Sequence, residues 1–135
     1  MMMRPVFLFS LFCAFAIVGA ASASECGSRG NGDLLTLEEW SAEADAFGAN
    51  VLLRLTNQGP AAIRMVDATV GFEDQLGAEV GIWALDRDIS IPPGESVETR
   101  ISTFEARLAN GARLSMIGTV CVHAAVFGDG TKVVY

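Results

Sequence analysis

The sequence predicts an all-β domain, an immunoglobulin-like β-sandwich of six or seven mostly antiparallel strands. Three observations point to it. Short runs in which apolar and polar residues alternate recur along the chain after residue 33. Clusters of Gly, Pro, Asn and Asp separate these runs and supply the turns. No segment of helical length after Ala44 carries a helical period. Strands at this spacing fit two stacked sheets, with a small closed barrel as the alternative architecture.

The first residues concern export rather than fold. Arg4 supplies a basic flank, Val6 to Ala21 is an almost unbroken apolar stretch, and Ala21-Ser22-Ala23 offers small residues for a signal peptidase. The reading is a cleaved signal peptide over 1–23, a flexible N-terminal segment over 24–33 and one sandwich domain over 34–135. A retained anchor is the alternative, because the apolar run approaches the roughly 20 residues that a membrane span needs. Cleavage leaves a chain with no stable membrane insertion and enough residues for one domain with its own core.

All 16 acidic residues fall after the leader, while Arg4 leaves with it, so the net charge of −7 becomes −8. Phosphate backbones and anionic lipid headgroups repel such a chain, which argues against nucleic acid as a partner. The acids are scattered, as in Glu38 and Glu39, Asp86 and Asp88, Glu95 and Glu98, and this fits a solvated surface.

Cys13 lies within the leader, which leaves Cys26 and Cys121 as an even pair in an oxidising compartment. One disulfide is expected between the N-terminal segment and a late strand, contributing about 4 kcal/mol in the chain-entropy picture. A redox-active pair is the alternative, disfavoured because catalytic pairs sit close in sequence, where each thiol tunes the other.

Each element has its own signal. Glu25 to Asp33 is rich in glycine and polar residues and reads as a loose lead-in held by Cys26. Leu34 to Ala44 reads as a first strand lined by Leu34, Leu35, Leu37 and Trp40, with a short helix from Thr36 as the alternative. Asn50 to Asn57 places Val51, Leu53 and Leu55 on one face and Arg54 and Thr56 on the other. After Gln58-Gly59-Pro60, Ile63 to Glu73 alternates again through Val66, Ala68, Val70 and Phe72. Asp74-Gln75-Leu76-Gly77 turns the chain into Glu79 to Leu85, which carries Trp83. Pro92-Pro93-Gly94 is a stop before Ser96 to Phe104. Asn110-Gly111 is a turn dipeptide between Leu108 and Leu114. Leu114 to Phe127 is apolar on both parities, as in a central strand covered on both sides. Gly128-Asp129-Gly130 leads to a closing strand, Thr131 to Tyr135.

Val51-Leu52-Leu53-Arg54-Leu55-Thr56-Asn57-Gln58-Gly59, then Val66-Asp67-Ala68-Thr69-Val70-Gly71-Phe72-Glu73-Asp74, Gly77 and Ile91-Pro92-Pro93-Gly94-Glu95-Ser96 follow one another in a distinctive order. This order resembles the bacterial extracytoplasmic immunoglobulin-like domains typified by the FxLYD family, over about residues 50–103. Val70-Gly71-Phe72-Glu73-Asp74 stands at the F-x-L-Y-D position, with the first Phe and the Tyr replaced. The resemblance implies a sandwich fold and a binding or spacer module without catalytic residues. It carries over no functional residue, and the Cys26 and Cys121 pair is not part of its pattern.

Chemistry has few carriers here. His123 is the only histidine, and on a regular strand it shares a face with Cys121, so an inward Cys121 makes it a structural, inward histidine. A nucleophile–base pair would need Cys121 free. One His, two oxidised Cys and the well-separated Met65 and Met116 give no zinc or copper spacing. Asp86-Arg87-Asp88 and Asp129 lack the regular oxygen spacing of a calcium loop, and no pair among the acids is singled out for glycoside chemistry. No metal and no cofactor are therefore expected. For recognition, Trp83 reads as core, while Trp40 beside Glu38 and Glu39 reads as a more exposed contact residue. Lys132 and Tyr135, on a terminal edge strand, complete the candidate contact set. The function expected is a non-enzymatic, periplasmic or secreted interaction module for a protein partner in the cell envelope. The alternatives are a small-molecule or ion-binding carrier of the periplasm, which needs a pocket or clustered carboxylates, and a hydrolase or redox enzyme.

Overall fold

Seven strands form two antiparallel sheets in a computed structural model of the chain, which describes residues 26–110 and 115–135. The leader read at 1–23 lies outside the described residues, as do Gly111 and Leu114. The strands are β1 (Leu35–Ala44), β2 (Ala49–Asn57), β3 (Ile63–Glu73), β4 (Glu79–Ala84), β5 (Ser96–Thr103), β6 (Ile117–Phe127) and β7 (Lys132–Val134). One sheet has the order β1-β2-β5 and the other β4-β3-β6-β7. The chain crosses between sheets after β2, β4 and β5, which makes an immunoglobulin-like sandwich. In the constant-type order the fourth strand covers the fifth. Here β4 pairs with β3 instead, so β5 stands at a sheet edge.

Alternation places the core. Val51, Leu53 and Leu55 of β2 face Val66, Ala68, Val70 and Phe72 of β3 and Val120 and Val122 of β6, all buried. Leu108, in a 3-10 turn over Ala106–Asn110, is fully buried in the same cluster. Burying side chains of this size contributes about 1.5–3 kcal/mol each, which is the main force holding the two sheets together.

β1 is a strand throughout. A register shift between Leu37 and Glu39 changes which parity faces inward, from Leu35 and Leu37 to Trp40 and Ala42. Trp40 and Trp83 are both half-buried against the core. The Trp40 ring stands edge-on to Phe72 with centroids 4.7 Å apart, and Trp83 lies 6.1 Å from the same ring.

The leading segment lies on the outer face of the β4-β3-β6-β7 sheet. Cys26 and Cys121 are disulfide-bonded across 95 positions, and both are buried. Cys121 pairs with Thr69, whereas its neighbours Val120 and Val122 pair with the core residues Val70 and Ala68. Cys121 therefore points away from the interior and is covered by the leading segment. This accounts for the two apolar parities of β6. Asn31 forms a two-way backbone bridge with Val122 (2.9 and 2.8 Å). Its Oδ1 accepts from the N–H groups of Asp33 and Leu34. Gly30, with φ of +115°, permits this approach, since a Cβ there would collide with the Val122 carbonyl.

Candidate functional site

The sequence-derived contact residues fall in two places. Trp40 faces inward from β1, opposite Leu53, and its ring belongs to the aromatic group around Phe72. Lys132 and Tyr135 lie at the β7 edge. β7 pairs with β6 through Ala124–Val134, Ala125–Val133 and Val126–Lys132, and the Tyr135 N–H continues the ladder to the His123 carbonyl at 2.8 Å. Lys132 lines a shallow groove with Met65, Asp67, Arg87, Ala124 and Val126, of about 90 Å³. That volume is far below the several hundred Å³ that a small-molecule site occupies. Arg87 donates to Asp67 across its rim at 3.3 Å.

The turn that presents β7 is built by Asp129. Its carboxylate accepts from the Thr131 N–H at 2.8 Å. This bond, together with the Thr131 hydroxyl, holds the Asp129 carboxyl below the usual carboxylate value. A carboxyl with a depressed folded-state value stabilises above its unfolded value, and the contribution is lost as pH falls through the folded one. The β6–β7 turn is thus expected to stay closed at neutral and mildly acidic pH. It should loosen only below the ordinary carboxylate range, and Asp129→Asn should remove that acid transition. The Thr131 amide shift in a pH titration by NMR reads both outcomes.

His123 sits where β6 departs from regular pairing. The register against β3 shifts between Asp67–Ala124 and Ala68–Val122, so His123 is the extra residue of a bulge. It is partly buried, and its face is set by the bulge rather than by Cys121. Cys121 has no thiol to offer because it is oxidised with Cys26. Among the described residues, no three His, Cys, Asp or Glu side chains are grouped as metal ligands would be. Among them too, no helix is long and apolar enough to cross a membrane.

One feature was not read from the sequence. Four large apolar side chains are exposed at a single end of the sandwich. They are Phe47 (78% exposed), Leu76 (94%), Phe104 (89%) and Ile117 (61%). Phe47 sits in the β1–β2 turn and Phe104 directly after β5. The two are brought close because Gly48 packs so tightly that a Cβ on it would meet the Thr103 and Phe104 backbone. Leu76 lies in the β3–β4 turn, which Asp74 joins to the Ala106–Asn110 turn through Arg107 at 3.8 Å. Ile117 begins β6 opposite Glu73. The available signal was that Phe47 and Phe104 stand where strands end, outside any buried parity.

The fold and this surface define an immunoglobulin-like sandwich with exposed apolar side chains at one end and a short strand at one sheet edge. No known protein family's sequence profile, no curated protein and no solved structure matches the chain.

Proposed function

We propose that the chain is a non-enzymatic exported interaction module that binds another envelope or secreted protein. The observation that carries this reading is the exposed apolar end formed by Phe47, Leu76, Phe104 and Ile117. Large apolar side chains gathered in water are costly unless a partner covers them, and such surfaces mark protein contacts. Asp45, Glu73 and Glu79 stand at the same end with Arg29 and Arg107, so charges of both signs frame the apolar side chains. Lys132 and the exposed Tyr135, on the short β7 edge, offer a second contact element through their side chains. The disulfide fits an oxidising compartment, periplasmic or extracellular. The resemblance to FxLYD-type domains agrees with a binding or spacer role.

The test is a crosslinking pull-down from the native envelope or culture fluid with the protein as bait. One dominant partner is expected, and it should be lost with Phe47→Ser plus Phe104→Ser while the variant keeps its β-sheet circular dichroism. Failure to capture any reproducible protein, or capture unaffected by both this variant and alteration of 131–135, would overturn the reading.

A further inference from the structure

The sandwich has four edge strands, and three are blunted. β1 is bulged at Leu37/Glu39, β4 contains Gly81 and meets a register break at Phe72/Glu73, and β7 is three residues long with a lysine. Each is a device that discourages pairing with another chain. β5 has no bulge, glycine, register break or shortness, and its charges, Glu98 and Arg100, are of opposite sign. Its eight residues keep unbroken register with β2 and include no glycine or proline.

The β2 ladder fixes which groups face outward from β5. The Asn57 N–H donates to the Glu95 carbonyl at 3.0 Å, in line with the β2–β5 register. Bonds to β2 therefore fall on the odd-numbered residues. The N–H and C=O groups of Ser96, Glu98, Arg100 and Ser102 point to the open side. Among the described residues, no other backbone group bonds to them.

This edge reads Ser96-Val97-Glu98-Thr99-Arg100-Ile101-Ser102, which about Thr99 sets Ser against Ser, the β-branched Val97 against Ile101, and Glu98 against Arg100. We propose that a second copy of this chain pairs antiparallel with β5 about a two-fold axis at Thr99, giving a continuous sheet β1-β2-β5-β5-β2-β1. In that register, Glu98 of one copy faces Arg100 of the other, Ser96 faces Ser102 and Val97 faces Ile101. The Glu98–Arg100 and Ser96–Ser102 positions are those whose backbone groups are open, so they form the hydrogen-bonded pairs of the new ladder. A two-residue slip sets Glu98 against Glu98 or Arg100 against Arg100. A one-residue slip mismatches the backbone groups. The register is thus specified by charge and by pleat.

The charges support the same occupant. Within one copy Arg100 stands opposite Leu52 and forms no ion pair among the described residues, while Arg54 pairs with Glu39 at 3.9 Å. Pairing continues the row Glu39, Arg54, Glu98 into the second copy's Arg100, alternating in sign at every strand. An isologous contact of this kind needs a self-complementary patch, which β5 supplies. The net charge of each copy opposes indiscriminate association. The contact is independent of the partner surface proposed above.

Sedimentation velocity on the exported protein over a concentration series should show a monomer–dimer equilibrium. Glu98→Lys alone and Arg100→Glu alone each set like charges opposite one another and should weaken dimerisation about tenfold or more. The double variant restores the pairing and should recover it. Thr99→Cys should form an intermolecular disulfide on the axis, whereas Ser96→Cys, facing Ser102, should not. A protein monomeric at every concentration overturns the proposal. So does a dimer indifferent to the single charge reversals, or a folded double variant that stays monomeric. Loss of the partner from the pull-down with this dimer intact counts against the interaction reading alone.

Discussion

Cys26→Ser with Cys121→Ser is expected to lower the stability of the domain by about 4 kcal/mol, read from urea or guanidinium unfolding. The size follows from the 95 positions that the bond spans, which remove much of the loop freedom of the unfolded chain. Local packing adds to it, because both half-cystines are buried on the outer sheet face and their loss uncovers Thr69 and β6. For a domain whose total stability is about 5–15 kcal/mol, this is a large share. Reduction of the wild-type protein should produce the same fall. A cost under about 1 kcal/mol would mean that the Asn31–Val122 bridge and its neighbours hold the leading segment without the covalent link.

Most strands were legible because one face is buried and the other is wet, so alternation reports them directly. β2 and β3 follow this rule closely, from Val51 to Leu55 and from Val66 to Phe72. β1 was ambiguous for a physical reason. The bulge after Leu37 moves the inward parity from Leu37 to Trp40, and a broken period of two resembles the start of a helix. The facing of Cys121 was not legible, because a strand packed on both sides loses its alternation. Sequence parity then placed His123 with Cys121, but His123 is the extra residue of a bulge, where strict alternation does not apply.

The exposed apolar end is less legible in the sequence than the fold. Trp40 stands next to two glutamates in sequence, but those exposed acids accompany the bulge while its own ring turns in toward Phe72. Phe47 and Phe104 carry no periodic signal, since each lies at a strand end, and only the assembled turns show that they share one end of the molecule. The β5 edge depends on where β4 pairs, a choice of topology that the residues of β5 do not encode.

Asn57→Ala is expected to cost about 3 kcal/mol, the largest effect foreseen for a single side chain outside the apolar core. Asn57 ends β2 and is 0% exposed. Its Nδ2 donates to the carbonyls of Ala61 (2.9 Å) and Ile91 (3.0 Å), while Oδ1 accepts from the Gly59 N–H at 2.9 Å. Its backbone carbonyl accepts from Gly94, whose φ of +74° closes the Pro92-Pro93-Gly94 turn. One residue thus ties the β2–β3 crossover to the β4–β5 crossover, two of the three connections that carry the chain from sheet to sheet. Truncation leaves the Ala61 carbonyl and the Gly59 N–H without these partners and takes one of two donors from the Ile91 carbonyl, which keeps the Ile63 N–H, beside the buried Ile63 and Ile91. Asn57→Asp keeps the shape but turns a carboxylate oxygen toward the two carbonyls, so at neutral pH it should cost at least as much as the alanine. Burial and those carbonyls raise the value of that carboxyl in the folded state, so its deficit should shrink as pH falls and the protonated group regains a donor. Denaturant midpoints for both variants at neutral and acid pH check the pair of expectations. An alanine cost below about 1 kcal/mol, or an aspartate deficit that grows on acidification, would show that the crossovers are held by their apolar contacts and not by this amide.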